Sequence, residues 1–217
     1  MNRILLVTRP KYDDGTEYLA YYASLIIKDA DSRSIENKDF EGKDAKIENV
    51  KKFIKKKDPK LIFINGHGDT DCLLGDNHEV LFSVSSNLDL LKERIVYARA
   101  CNAGLIFGKK VTENSNGCFI GYQLPFSFIM NEKWSAIPAN DKTAALFIEP
   151  SNEVMHSLIK GDSAALANEK SKKAMIKNMQ RIMKMEEKKE PGAMGLLMTL
   201  WNNYDGQVLH GNQNITF

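Results

Sequence analysis

The sequence predicts an α/β fold, a mostly parallel sheet flanked by helices on both faces and followed by a helical C-terminal third. Three observations predict it. Short apolar runs at residues 4–7, 61–65, 95–98 and 117–122 alternate with stretches of helical period, the signature of strand–helix–strand units. Two of these runs stop abruptly at a reactive side chain set among glycines, which is how open α/β sheets build sites at their C-terminal edge. From Asp141 onward the strand pattern gives way to helical periodicity.

Taken in order, Ile4, Leu5, Leu6 and Val7 are a central buried strand. Residues 16–27 are apolar almost all round (Tyr18, Leu19, Tyr22, Ile26), as expected of a helix pressed on a sheet. Residues 29–44 are polar and rich in turn formers. Residues 44–57 then place Ile47, Val50, Phe53 and Ile54 on one helical face and lysines on the other, until Asp58-Pro59 stops the helix. The run 61–65 is the next strand, and 69–94 is a polar connection with a short helix near residues 88–91. The run 95–100 is a strand, a helix is expected from Asn102, and 117–122 is a further strand. Asp141 caps a helix reaching Ile148, and Val154, Met155, Leu158 and Ile159 mark a second that Gly161 ends. Met175, Met179, Ile182 and Met183 give the face of a long helix over 163–188, and Pro191-Gly192 separates it from the apolar run 194–201. With no repeat, low-complexity tract or linker, one domain spanning 1–217 is expected.

The 217 residues, 43% of them hydrophobic, suffice for a full core. Thirty basic and 28 acidic residues leave a net charge of +2, so no global field points to nucleic acid. Three cysteines without metal-like spacing argue against a disulfide framework or a zinc site. No run approaches the roughly 18 apolar residues of a membrane span, and the first residues lack a signal-peptide pattern. A cytoplasmic protein without a membrane partner is expected.

The chemistry lies at two strand ends. Leu61-Ile-Phe-Ile-Asn-Gly-His67-Gly68 delivers a histidine, and Ile95-Val-Tyr-Ala-Arg-Ala-Cys101-Asn-Ala-Gly104 delivers a cysteine. Either residue alone is most simply structural. Together, on strands of one parallel sheet, they converge, and a thiol beside an imidazole is the minimal equipment for nucleophilic acyl transfer. His67 and Cys101 are therefore the candidate catalytic dyad. The Gly68 amide, with that of Cys101, is a candidate oxyanion donor. A helix starting near Asn102 would depress the thiol pKa. Asp69 and Asp71 either support His67 or decorate a loop, and no orienting third residue is evident.

These residues resemble the caspase-type cysteine peptidases, the group of caspases, legumains and gingipains. Within that group the sequence is most similar to the CHAT family of prokaryotic caspase-like domains. Cys101-Asn-Ala-Gly104 follows its Cys-x-Thr-Gly pattern with Ala103 in place of threonine. Gly117-Cys-Phe-Ile-Gly-Tyr122 resembles its next core strand, and Asp141-Lys-Thr-Ala-Ala-Leu-Phe147 its following helix. Ser157-Leu-Ile-Lys-Gly-Asp-Ser163 resembles its Leu-x-x-Gly-x-Ser element, and Leu209-His-Gly-Asn212 its terminal Gly-Asp-Pro. The animal caspase Gln-Ala-Cys-x-Gly signature is absent, and residues 124–140 look inserted. The resemblance implies a caspase-like fold and a cysteine endopeptidase that acts on protein or peptide and needs no metal or organic cofactor. Because unrestrained proteolysis would harm a cell, either a regulatory protein partner or a dedicated target is expected.

Arg99 stands two residues before Cys101 and so shares its side of the strand. The resemblance makes it a candidate wall of the pocket for the residue preceding the cleaved bond, where it would favour an acidic side chain through paired hydrogen bonds. The alternative is a structural arginine paired with a core carboxylate. Gln123, at the end of the next strand, is a second pocket candidate, and the apolar residues 124–134 are either a substrate-covering flap or packing. Two rival functions remain: a pseudo-peptidase serving as a binding or assembly module, and a flavodoxin-like ligand-binding protein. The second lacks a glycine-rich phosphate loop after the first strand, where Thr8-Arg-Pro-Lys-Tyr-Asp-Asp stands instead.

Overall fold

A computed structural model describes residues 3–217. Six strands form the main sheet: β1 (Ile4–Arg9), β2 (Glu36–Glu41), β3 (Leu61–Asn65), β6 (Ile95–Arg99), β7 (Cys118–Tyr122) and β8 (Gln207–Gly211), in the order β2-β1-β3-β6-β7-β8. All neighbours are parallel except β7 and β8. The remaining two strands, β4 (Cys72–Leu74) and β5 (Val80–Ser83), pair as a separate hairpin inside the connection from β3 to β6.

β1, β3, β6 and β7 are buried along their whole length. A strand covered on both faces needs apolar residues at every position, which is why these four are legible as continuous runs. β2 is an edge strand. Of its six residues only Phe40 is buried, and its polar side chains hold the edge through an ion pair between Arg9 and Asp39. The expectation of a turn-rich stretch there fails because an edge strand with one buried side chain carries no apolar alternation.

The helices α1 (Asp14–Ser32), α4 (Lys142–Lys160), α5 (Ala164–Glu187) and α6 (Ala193–Gly206) bury their apolar residues in one cluster with Leu5, Val7, Phe63, Tyr97 and Tyr122. On the opposite face, α2 (Ile47–Lys57) and α3 (Phe107–Thr112), together with the β4–β5 hairpin, cover Leu6, Ile62, Val96 and Phe119. Alternate residues of each strand thus feed two different cores. Phe63 and Tyr97 stack across β3 and β6 with centroids 5.1 Å apart, worth about 0.5–1.5 kcal/mol beyond their burial.

Two helical expectations need correction. The segment after Asp141 is one helix, α4, that runs through Pro150 instead of two shorter ones. Proline has no N–H for the carbonyl of Leu146, and that carbonyl instead accepts from Asn178 Nδ2 of α5 at 2.8 Å. The orphaned acceptor is satisfied from outside, so the helix continues. The helix expected at Asn102 starts only at Phe107, because Asn102 adopts a left-handed conformation (φ 59°) and residues 101–106 make a tight turn. The two remaining strand elements, β4 and β5, lie within the polar 69–94 connection.

Candidate active site

Three neighbouring parallel strands end at one edge, and each is followed by a residue of the site. β1 runs into Asp13, the N-cap of α1; β3 into His67; β6 into Cys101. The β3–β6 register pairs Asn65 with Arg99, and His67 and Cys101 follow two residues further on in each chain. Adjacent strands lie about 4.8 Å apart. His67, Arg99 and Cys101 all line one cavity of about 80 Å³ at this edge. The chain reverses direction in the sheet here, with β2 to one side of β1 and β3 to the other, the position where such sheets hold ligands.

The turns are shaped for close approach. Gly66 has a φ of +129°, which a side chain would strain. A Cβ on Gly68 would stand 2.9 Å from the Ala100 Cβ and 3.2 Å from the Cys101 carbonyl, so glycine lets the histidine loop lie against the cysteine turn. Phe107 N–H donates to the Thr70 carbonyl at 2.8 Å and ties the same two loops together. Among the described residues, the amides of Gly68 and Cys101 donate to no protein acceptor.

Asp13 is the residue that the sequence alone did not identify. One of its carboxylate oxygens accepts from the Thr16 amide at 2.7 Å and caps α1, while the Thr16 hydroxyl accepts from the Asp13 amide, a closed capping box. Its other oxygen lies 2.8 Å from His67 Nε2. A carboxylate only accepts, so Nε2 carries the proton and Nδ1 is the lone-pair nitrogen of the neutral ring. Burial works against the Asp13 charge, yet the Thr16 amide and the His67 ring outweigh it and hold the carboxyl below its ordinary value. The rings of Tyr12 and His78 flank His67, with centroids 6.0 and 5.3 Å away. Asp69 and Asp71 are exposed, and Asp69 folds back on the Thr70 amide. A signal for Asp13 does exist in the chain: an Asp-x-x-Thr cap straight after the first strand must sit at the same sheet edge as the other strand ends.

Cys101 Sγ points at the Phe126 carbonyl, 3.8 Å away. Burial pushes its thiol up, the Phe126 contact opposes that, and no helix N-terminus assists, since α3 begins six residues later. The expected helix-assisted thiolate is therefore absent, and the resting sulfur is a thiol. Phe126 and Phe128 form a wall of the cavity, so of the 124–134 segment these two residues border it. Asn203 of α6 clamps this segment with both ends of its amide, accepting from the Ser127 N–H (3.0 Å) and donating to the Ser127 carbonyl (2.6 Å). Asp141 holds the far end by accepting from Asn131 N at 2.7 Å.

Arg99 is fully buried and forms the cavity floor. Nε and Nη2 donate to Asn65 Oδ1 (3.1 and 2.7 Å), Nη2 also to the Leu19 carbonyl (3.0 Å), and Nη1 to Asn152 Oδ1 (2.8 Å). The internal partners are neutral amides; no carboxylate pairs with it among the described residues. Burial lowers its pKa to about 10, which leaves a cation at neutral pH. Gln123 is not among the cavity-lining residues; its backbone N–H donates to the Gly206 carbonyl at 2.8 Å. Among the described residues no three His, Cys, Asp or Glu side chains converge as a metal set would, and no helix is long and apolar enough to cross a membrane.

The double function of Asp13 gives a separable prediction. Asparagine caps helices as well as aspartate, so Asp13→Asn should keep the cap and lower the melting temperature only slightly, through the lost contact with His67, while any turnover falls on the order of tenfold or more, a share of the 10²–10⁴ that positioned acid–base groups supply. Asp13→Ala should lose turnover and also about 1 kcal/mol of stability with the cap. Full turnover by a stable Asp13→Asn protein would make the contact with His67 incidental.

A mostly parallel sheet with helices on both faces and strand-end residues at one edge defines the class: the fold is the caspase-like α/β fold. Among solved structures, the chain is similar to one in the complex of Porphyromonas gingivalis RgpB pro- and mature domains, with a TM-score of 0.58 and 11% sequence identity. The match covers 98% of this chain and 47% of that one, so this chain spans about half its length. At that identity the likeness is one of fold. No protein-family model and no curated protein sequence matches the chain.

Proposed function

We propose that this protein is a cytoplasmic cysteine endopeptidase of the CHAT type, with Cys101 as nucleophile, His67 as general acid–base and a preference for an acidic residue before the cleaved bond. The observation that carries this reading is the shared cavity: the thiol, an imidazole oriented by a carboxylate, and an unneutralised buried cation all face one small space. His67 Nδ1 takes the Cys101 proton as the sulfur attacks the carbonyl carbon. The unpaired amides of Gly68 and Cys101 receive the developing oxyanion. His67 then gives the proton to the leaving amine, and a water that it activates hydrolyses the thioester. Because burial keeps the resting thiol protonated, proton removal belongs to the substrate-bound step. The likeness of fold to the RgpB chain is in keeping with this reading.

The test is an unbiased peptide-library digest. Cleavage dependent on both Cys101 and His67 and concentrated after Asp or Glu supports the reading. An intact library, with Cys101 unlabelled by peptidyl thiol-reactive probes, would instead favour a pseudo-peptidase acting as an assembly module.

A further inference from the structure

The mechanism above asks one ring to face Asp13 with Nε2 and to keep Nδ1 for Cys101, and the contact with Asp13 alone does not hold it there. The His67 side chain is 42% exposed, so no core packs it. A single hydrogen bond restrains one atom of a ring whose χ2 torsion is broad and soft. Two other rings supply what is missing. Tyr12 and His78 flank His67 with centroids 6.0 and 5.3 Å away, and they meet each other edge-on at 4.9 Å. The three rings thus close a triangle, with every separation inside the range in which aromatic pairs attract.

Both flanking rings are delivered by backbone tied to the site. The Tyr12 N–H donates to the Thr16 hydroxyl at 3.1 Å, the same oxygen that accepts from the Asp13 N–H, so the capping box that aims the carboxylate also fixes Tyr12. His78 comes from the β4–β5 hairpin, which is bonded to the histidine loop itself: the Leu74 N–H donates to the His67 carbonyl, and the Asp69 N–H to the Cys72 carbonyl, both at 3.0 Å. At the hairpin's turn, Asn77 (φ 49°) and His78 (φ 62°) are consecutive left-handed residues. That conformation costs any residue with a β-carbon and is free to glycine, and such strain gathers at functional sites. His78 is exposed, so burial does not account for a ring at this position. The Tyr12 hydroxyl lies 3.4 Å from His78 Nδ1 and links the two flanking rings.

We propose that Tyr12 and His78 are positioning residues for His67, their rings holding the imidazole plane so that Nε2 stays on Asp13 and Nδ1 stays free for the thiol. Neither lines the cavity that holds Cys101, so both act through His67. The consequence for turnover rests on the peptidase reading above; the restraint on the ring does not.

Two readouts test this, and one needs no turnover. With nitrogen-15-labelled histidine, the ring nitrogens of His67, assigned by their loss in His67→Ala, report the tautomer in alkaline solution. The parent should hold the hydrogen on Nε2 almost completely. His78→Ala and Tyr12→Leu should each move the two nitrogens toward the average of both tautomers, whereas His78→Phe and Tyr12→Phe, which keep a ring, should stay near the parent. On the best peptide of the library digest, His78→Ala should lower kcat about two- to tenfold, the weight of one ring contact, with KM and the melting curve unchanged. His78→Phe should recover most of that loss. His67 nitrogens that keep their parent positions in both His78→Ala and Tyr12→Leu would overturn the proposal whatever the turnover. So would a kcat loss that His78→Phe fails to recover, because His78 would then act through its own imidazole chemistry. A parent that cleaves nothing, with nitrogens that still move in the two variants, would uphold the restraint and end the peptidase reading instead.

Discussion

If the proposed activity is right, Cys101→Ala and His67→Ala should each reduce peptide hydrolysis by about 10³-fold or more, while Cys72→Ala and Cys118→Ala should leave it essentially unchanged. The first size follows from how a nucleophile and its base act as one unit, so that losing either removes nearly the whole chemical step. The second follows from burial. Cys118 is fully buried in β7 with its thiol pushed up to about 12, and Cys72, in the hairpin, is also raised by burial and by Asp71. Neither lines the cavity that holds His67. The same reasoning sets a pH dependence. Burial raises the Cys101 thiol, so the thiolate fraction at neutral pH is small, and alkylation by iodoacetamide without substrate should be slow near pH 7 and climb on the alkaline side. Turnover comparable to the parent by a folded Cys101→Ala protein would end the cysteine-peptidase reading.

The parts of this architecture that were legible are those where one physical demand acts alone. β1, β3, β6 and β7 are buried on both faces, so every position must be apolar and the runs stand out. α5 is long, and Met175, Met179 and Ile182 declare its face. What escaped depends on partners distant in sequence. α4 passes Pro150 because Asn178, twenty-eight residues on, supplies the missing donor. β2 is a strand because β1 offers it an edge, not because Glu36-Asn-Lys-Asp-Phe-Glu41 favours one. At the site, His67 and Cys101 were visible as strand ends, but the carboxylate on His67 comes from Asp13, fifty-four residues earlier, which sequence proximity to Asp69 and Asp71 obscured. The delayed start of α3 turned on a single left-handed residue, Asn102.

Arg99 tests the substrate reading most severely. Expected from sequence to clamp a carboxylate with two parallel hydrogen bonds, it has four of its five N–H groups occupied by Asn65, Asn152 and the Leu19 carbonyl. One Nη1 hydrogen remains, so the two-point clamp is replaced by a single charge-assisted hydrogen bond. No carboxylate compensates its charge among the described residues, and a buried cation held by neutral amides and by the face of the Phe63 ring, 5.2 Å away, gains from a carboxylate that enters the cavity it lines. A charge-assisted hydrogen bond is worth about 1.5–3 kcal/mol, which sets a preference for aspartate over its uncharged isostere asparagine of roughly 10- to 150-fold. Arg99→Gln should bring that ratio close to one. Measuring Asp against Asn substrates on the same variant cancels any effect of the substitution on folding, including the exposure of Asn65 and Asn152 as unpaired acceptors. Labelling of Cys101 by a small thiol reagent should not change, because the reagent makes no use of the cavity floor. A ratio that survives Arg99→Gln, or a parent protein that cleaves after lysine or arginine, would make Arg99 a purely structural bridge between the sheet, α1 and α4.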